Sequence, residues 1–212
     1  MNKIWILTFI LVLCTVSCAS KKDNNDLKLA PFEGDTVLII PPLSDDSNLN
    51  NELGRSMTSN LIRKISSDVR YAGDIPKLQS ALQKSNLIVD GQVNMLEVSK
   101  IGAAVNAKDV ICVKVTSYTL YPPQSLSCVI ISRRLDGQKY KQRVAYMNVH
   151  MEDIEDRKEF ADFVGGSLRG PLGDRFIKKT DVNAEAAMLS NKQFYRFAGY
   201  KISKNILLMK KY

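Results

Sequence analysis

Apolar residues change their spacing several times along the chain, and each change marks an element. Thr36-Val37-Leu38-Ile39-Ile40 is an unbroken β-branched and aliphatic run stopped by Pro41-Pro42, the signature of a strand buried on both faces. A polar loop through Asp45, Asp46 and Asn48 follows. Over residues 51–67, Leu53, Met57, Leu61, Ile62 and Ile65 recur at helical spacing and form one apolar face. Val69 to Ala72 reads as a short strand, Ile75 to Lys84 as a short helix, and residues 94–105 as a third helix. Asp109 to Tyr121 is the strongest strand pattern in the chain, ended by Pro122-Pro123. Leu126 to Leu135 and Gln138 to His150 flank Asp136-Gly137, a two-residue turn whose positive φ angles suit a hairpin. Glu152 to Val164 predicts a charged helix, and the glycine-rich stretch Gly165 to Gly173 a loop. A last helix over 191–209 places Phe194, Phe197, Ala198, Ile202, Ile206 and Met209 on one side, to cover the sheet, with Tyr195 and Tyr200 off that face. The expected fold class is α/β, a single mixed sheet of about five strands covered by helices.

The amino terminus has a different pattern. Lys3 precedes the uncharged run Ile4 to Cys14, which gives way to the small residues Thr15-Val16-Ser17-Cys18-Ala19-Ser20. This is the charged, apolar, small-residue order of a secretory signal. A helix of eleven residues rises only about 16 Å, too little to cross a bilayer that requires roughly 20 residues. Thr15-Val16-Ser17-Cys18 resembles the bacterial lipobox, with Thr15 where leucine is usual. The resemblance implies cleavage between Ser17 and Cys18 and conversion of the Cys18 thiol to a diacylglyceryl thioether. It divides the chain into a signal at 1–17, a lipidated cysteine with a polar tether at 18–35, and a domain at 36–212. Ala19 in place of an aspartate after the cysteine favours the outer membrane, facing the periplasm. An ordinary secretory signal that happens to contain a cysteine is the alternative.

Composition narrows the partners. The chain is 45% hydrophobic and 25% charged, with a formal net charge of +8, a globular balance. A basic excess often points to nucleic acid, but export leaves anionic head groups, wall polymers or acidic proteins in its place. Cys112 and Cys128 remain once Cys14 and Cys18 are accounted for. A tight hairpin at Pro122-Pro123-Gln124-Ser125 would set Cys128 opposite about Thr119 and away from Cys112, which favours two buried free thiols over a disulfide.

Catalytic chemistry is sparse. His150 is the only histidine, so a hydrolase would depend on it alone, and a site with several histidine ligands is excluded. Gly165 to Gly173 has Pro171-Leu172 where a phosphate-binding loop needs Lys and Ser or Thr. The acidic clusters Asp45-Asp46 and Glu152-Asp153-Glu155-Asp156 lack calcium-loop spacing. No cofactor is expected. A partner-facing surface is expected at Tyr195, Arg196 and Tyr200 on the last helix, with Arg169 in the glycine-rich loop.

Two further stretches carry a family likeness, Glu52-Leu53-Gly54-Arg55-Ser56-Met57-Thr58-Ser59-Asn60-Leu61 and Ile101-Gly102-Ala103-Ala104-Val105-Asn106-Ala107-Lys108-Asp109-Val110-Ile111. With the aliphatic strand before Pro41, their order resembles the periplasmic α/β domain shared by the curli-secretion lipoprotein CsgG, the lipoprotein activators of penicillin-binding proteins and the amino-terminal domain of TolB. Val113-Lys114-Val115 stands where that pattern has a central-strand glycine. The resemblance implies a non-enzymatic docking, assembly or regulatory factor for a periplasmic or outer-membrane complex, or else a CsgG-like subunit that assembles with copies of itself for export.

Overall fold

The computed structural model describes residues 30–65, 67–136, 139–167 and 190–210. The elements are β1 (Thr36–Ile39), α1 (Ser47–Ile62), β2 (Asp68–Tyr71), α2 (Pro76–Lys84), β3 (Ile88–Val89), β4 (Gln92–Val93), α3 (Met95–Ala104), β5 (Asp109–Thr119), β6 (Ser125–Asp136), β7 (Lys139–His150), α4 (Ile154–Ser167) and α5 (Asn191–Lys210). Five strands form one mixed sheet in the order β2-β1-β5-β6-β7, and β3 pairs with β4 apart from it. The class is the expected one.

The strand order follows from burial. β1 is buried at all four positions, so it lies inside the sheet, parallel to both β2 and β5. The chain leaves β1 for β2 through α1 and returns past β1 to β5 through α2 and α3. These crossovers run in opposite directions along the sheet, and a common right hand puts their helices on opposite faces. Two cores result. Val37, Ile39, Met57, Ile130, Phe197 and Ile202 belong to one, beneath α1, α4 and α5, and Leu38, Ile40, Leu78, Val98 and Val110 to the other, beneath α2 and α3.

The glycines of the two family-like stretches are explained by close approach. A Cβ at Gly54 would lie 2.3 Å from the Tyr71 ring, and one at Gly102 would lie 2.3 Å from Val110 Cγ2. Both helices therefore sit closer to the sheet than a side chain permits. Hydrogen bonds tie α1 to α5, with Ser56 Oγ donating to Arg196 O at 2.8 Å and Ser203 Oγ to Met57 O at 3.2 Å.

Several boundaries differ from expectation. α1 begins at Ser47 rather than 51 because Asp46 is its N-cap, its Oδ1 accepting from Asn48 N at 2.8 Å and Leu49 N at 3.1 Å. It ends at Ile62, which is 56% exposed rather than part of the apolar face. α4 runs through Gly165, Gly166 and Ser167, placed in a loop by their composition, and residues 168–173 lie outside the described residues. The small β3–β4 hairpin was not anticipated, although Asp90-Gly91, with φ of 48° and 71°, is the same turn signal read at Asp136-Gly137. Phe32 N donates to Val105 O at 2.7 Å, so the chain is already bound to the fold four residues before β1.

The cysteines are free and buried, for a reason sequence spacing did not reveal. An irregularity between Val115 and Ser117 shifts the β5–β6 register, and Cys128 faces Val115 instead of Thr119. Cys112 packs in one core and Cys128 in the other. Side chains on opposite faces of a sheet cannot be bridged. Burial pushes both thiols up to about 12, so neither is a nucleophile near neutral pH.

Candidate functional site

In an open α/β sheet, ligands usually enter where strand order reverses, beyond the carboxyl ends of the parallel strands. Here that place is between β1 and β5, and the chain fills it with itself. Leu43 N donates to Val113 O at 2.8 Å and Val115 N to Leu43 O at 3.1 Å, extending the sheet across the crevice. The amino end of α1, where an anion would bind, holds the carboxylate of Asp46. Tyr195 lies behind it, 6% exposed, with its hydroxyl 3.5 Å from Asp46 Oδ2. Burial first, then the Asp46 charge, pushes the Tyr195 phenol up to about 12. Tyr195, expected to face outward, thus belongs to the core.

Arg196 and Tyr200 are on the surface side of α5, next to a groove. Glu52, Arg55, Ser59 and Asn60 of α1, Arg63 just past its end, Phe163 of α4 and Arg196 of α5 line it. Tyr200 is half-buried, its ring 5.3 Å from Phe163 and 6.3 Å from Phe197. Arg55 is paired with Asp74 at 3.0 Å, whereas Arg63 and Arg196 form no ion pair among the described residues. The result is an aromatic wall with two guanidinium groups that have no ion-pair partner among the described residues, beside the single carboxylate of Glu52, a combination suited to a carboxylate or carbonyl-rich chain. The signal missed in the sequence was the spacing of Arg55, Ser59 and Arg63, one helical stripe beside the apolar face. Arg169 lies outside the described residues.

An ionic network joins α4 to α5. Lys201 Nζ donates to Asp156 Oδ1 at 2.7 Å and Glu159 Oε2 at 2.8 Å, and Lys204 Nζ to Glu159 Oε1 at 2.9 Å. Partial burial opposes ionisation of Glu159, but the hydrogen bonds and charges of Lys201 and Lys204 prevail and hold its carboxyl below the usual range. Burial likewise opposes charge on Lys201, and Asp156 with Glu159 raises it regardless. His150 is exposed at the end of β7 opposite Ser125. No hydrogen bond joins those two side chains among the described residues. Asp156, the carboxylate bonded to this residue, accepts the His150 backbone N–H at 2.7 Å and the Lys201 ammonium rather than the imidazole.

The opposite end of the sheet, where the chain enters, has another character. Asp35, Ser67, Lys108, Asp109, Ser132, Arg134, Lys141 and Arg143 surround a polar hollow there. Lys108 pairs with Asp35 at 2.6 Å, and Arg143 donates to Met209 O at the carboxyl end of α5. Arg134 and Lys141 are exposed and directly opposite each other across β6 and β7.

Ser17 and Cys18 lie outside the described residues. Among the described residues no helix is long and apolar enough to cross a membrane, and no group of three His, Cys, Asp or Glu side chains is placed to hold a metal ion. No protein-family model matches the chain, and no curated protein does. Among solved structures, lipoprotein GNA1162 from Neisseria meningitidis aligns at 16% identity over 66% of this chain and 99% of that one, with a TM-score of 0.39. The PelC dodecamer from Paraburkholderia phytofirmans aligns at 11% identity over 61% and 83%, TM-score 0.32, and a single-residue variant of that dodecamer at 10% over the same shares, TM-score 0.36. At those values the likenesses are partial, and the architecture rests on the strand order and register above.

Proposed function

We propose that this chain is a non-enzymatic envelope lipoprotein, held at the outer membrane by lipid on Cys18, whose α/β domain docks with another envelope protein. The observation that carries the docking is the α1–α4–α5 groove, where Arg63 and Arg196 flank Phe163 without ion-pair partners among the described residues. Guanidinium groups beside an aromatic wall favour contacts of the kind that dominate protein interfaces. The non-enzymatic reading is supported by the raised thiols and by the commitment of Asp156 away from the His150 imidazole.

A photo-cross-linking residue at Asn60 or Arg196, in cells, tests it. The expected result is an adduct with one envelope protein from both positions and none from Lys100, on the other face of the sheet. Equal labelling from all three positions, or none, would contradict it.

A second reading, CsgG-like assembly of copies, is favoured by β7. This twelve-residue strand has no neighbour on its outer side among the described residues, with Tyr146 79% and Val144 45% exposed. Such an edge accepts another strand unless it is blunted. Native mass measurement of detergent-extracted protein separates the readings, since a closed assembly of copies predicts a multiple of the monomer mass and the docking reading a monomer.

A further inference from the structure

The hollow at the entry end of the sheet is a binding surface that the groove does not explain. We propose that it rests on anionic phospholipid head groups, so that the cations of this end orient the lipid-anchored domain on its membrane. The proposal depends on the Cys18 anchor and adds to it a face and a lipid chemistry.

Three observations converge. The first is position. β1, β2 and β5 all begin at this end, with Thr36 opposite Asp68 and Val37 opposite Asp109, and Phe32 is bound beside them at Val105. The twelve Cα–Cα steps from Cys18 to Ala30 span at most about 43 Å however they run. The end that carries Lys108 is therefore the end at which the tether joins the domain.

The second is charge. Arg134 and Lys141 line the hollow, and Lys64, exposed where the chain leaves α1 toward β2, shares this end. Of the acids here, Asp35 is already paired with Lys108, Asp68 with Arg70 at 2.7 Å, Asp109 heads the row Asp109–Arg134–Lys141 across three strands, and Glu33, exposed beside Thr36, has no ion pair among the described residues. A basic side chain near an anionic surface favours partitioning by roughly five-fold. Because diacylglyceryl thioethers already retain the protein, that attraction is available to set which end faces the head groups.

The third is a local penalty. Arg134 directly opposite Lys141 places like charges on a cross-strand pair, an arrangement that opposes sheet formation. Asp109, the one acid of the row, stands opposite Arg134 alone and does not by itself relieve both cations. Phosphate oxygens outside the protein would, and a departure from local rules of this kind marks a surface kept for something other than folding.

The test uses the full lipidated chain in nanodiscs, with intact mass taken first. A fluorophore is attached at Gln142→Cys, near the hollow, or at Glu152→Cys, at the far end, and quenched by spin-labelled head-group lipid. In discs containing phosphatidylglycerol, quenching at position 142 should exceed that at 152 by roughly three-fold or more, and about 0.5 M salt should abolish the difference. Phosphatidylcholine discs and the Arg134→Glu/Lys141→Glu variant, checked for native circular dichroism, should abolish it too. Equal quenching at both positions in anionic discs, or a preference that survives charge reversal, overturns the orientation while leaving the anchor intact. A mass showing no lipid on Cys18 overturns both.

Discussion

The two ends of the sheet differ less in how many charges they hold than in how those charges are used. At the far end, beyond the carboxyl ends of β1 and β5, four carboxylates are committed to structure. Asp46 caps α1, Asp74 holds Arg55, Asp153 Oδ1 accepts the Glu155 N–H at 2.7 Å, and Asp156 binds both Lys201 and the His150 backbone. At the entry end Lys108 and Arg143 are engaged, but Arg134, Lys141 and Lys64 form no ion pair among the described residues. A charge consumed by the fold is poor evidence of function. A charge that the fold tolerates without using it is better evidence.

Mutations should separate the two ends. Asp156→Ala removes the acceptor of two strong donors in a site where the Asp156 and Lys201 side chains are only 13% and 18% exposed. It should cost about 2–3 kcal/mol in denaturant unfolding, below the range for fully buried pairs because water still reaches Lys201. Asp46→Ala, which uncaps α1, should cost about 1 kcal/mol. The Arg134→Gln/Lys141→Gln pair should cost nothing, and relief of like charge should raise stability by up to roughly 0.5 kcal/mol. A loss of stability at the entry end comparable with the Asp46→Ala loss would erase the distinction.

Acidity offers a finer test of the far end. Glu159 is held below its ordinary range, so its contribution is fully present above the usual carboxylate range and disappears as pH falls through its depressed value. Lys201 is raised, so its contribution is present below the ordinary lysine range and disappears as pH rises through its elevated value. Docking of α4 on α5 should therefore show a plateau between the two. Glu159→Gln should flatten the acid limb of the melting-temperature profile, whereas Arg134→Gln should leave that limb unchanged.

Much of the fold was legible because burial imposes period. The unbroken run at Val37–Ile40 and the helical recurrence of Leu53, Met57 and Leu61 each report a local geometric constraint, whereas Asp136, read as a turn residue, belongs to β6 and pairs with Lys139, and residues 137–138 lie outside the described residues. What escaped depends on partners distant in sequence. Helical spacing put Tyr195 off the apolar face of α5, but α1 packs beside that helix and covers it, with Asp46 brought 149 residues back to its hydroxyl. The like-charge pair Arg134–Lys141 exists only once β6 and β7 have a register. The shift at Val115–Ser117, which decides where Cys128 points, leaves no mark in composition. Of the expected surface, Arg196 and Tyr200 were found beside the groove, while the roles of Arg55, Arg63 and Phe163 emerged only when three helices met.

Both ends acquire their meaning from the proposed membrane anchor, and intact mass of the protein extracted from membranes tests that anchor most directly. The account predicts a chain that begins at Cys18 and carries a diacylglyceryl group, with cleavage and lipid both lost in Cys18→Ser. A mature chain that begins elsewhere, or begins at Cys18 without added lipid, would contradict it.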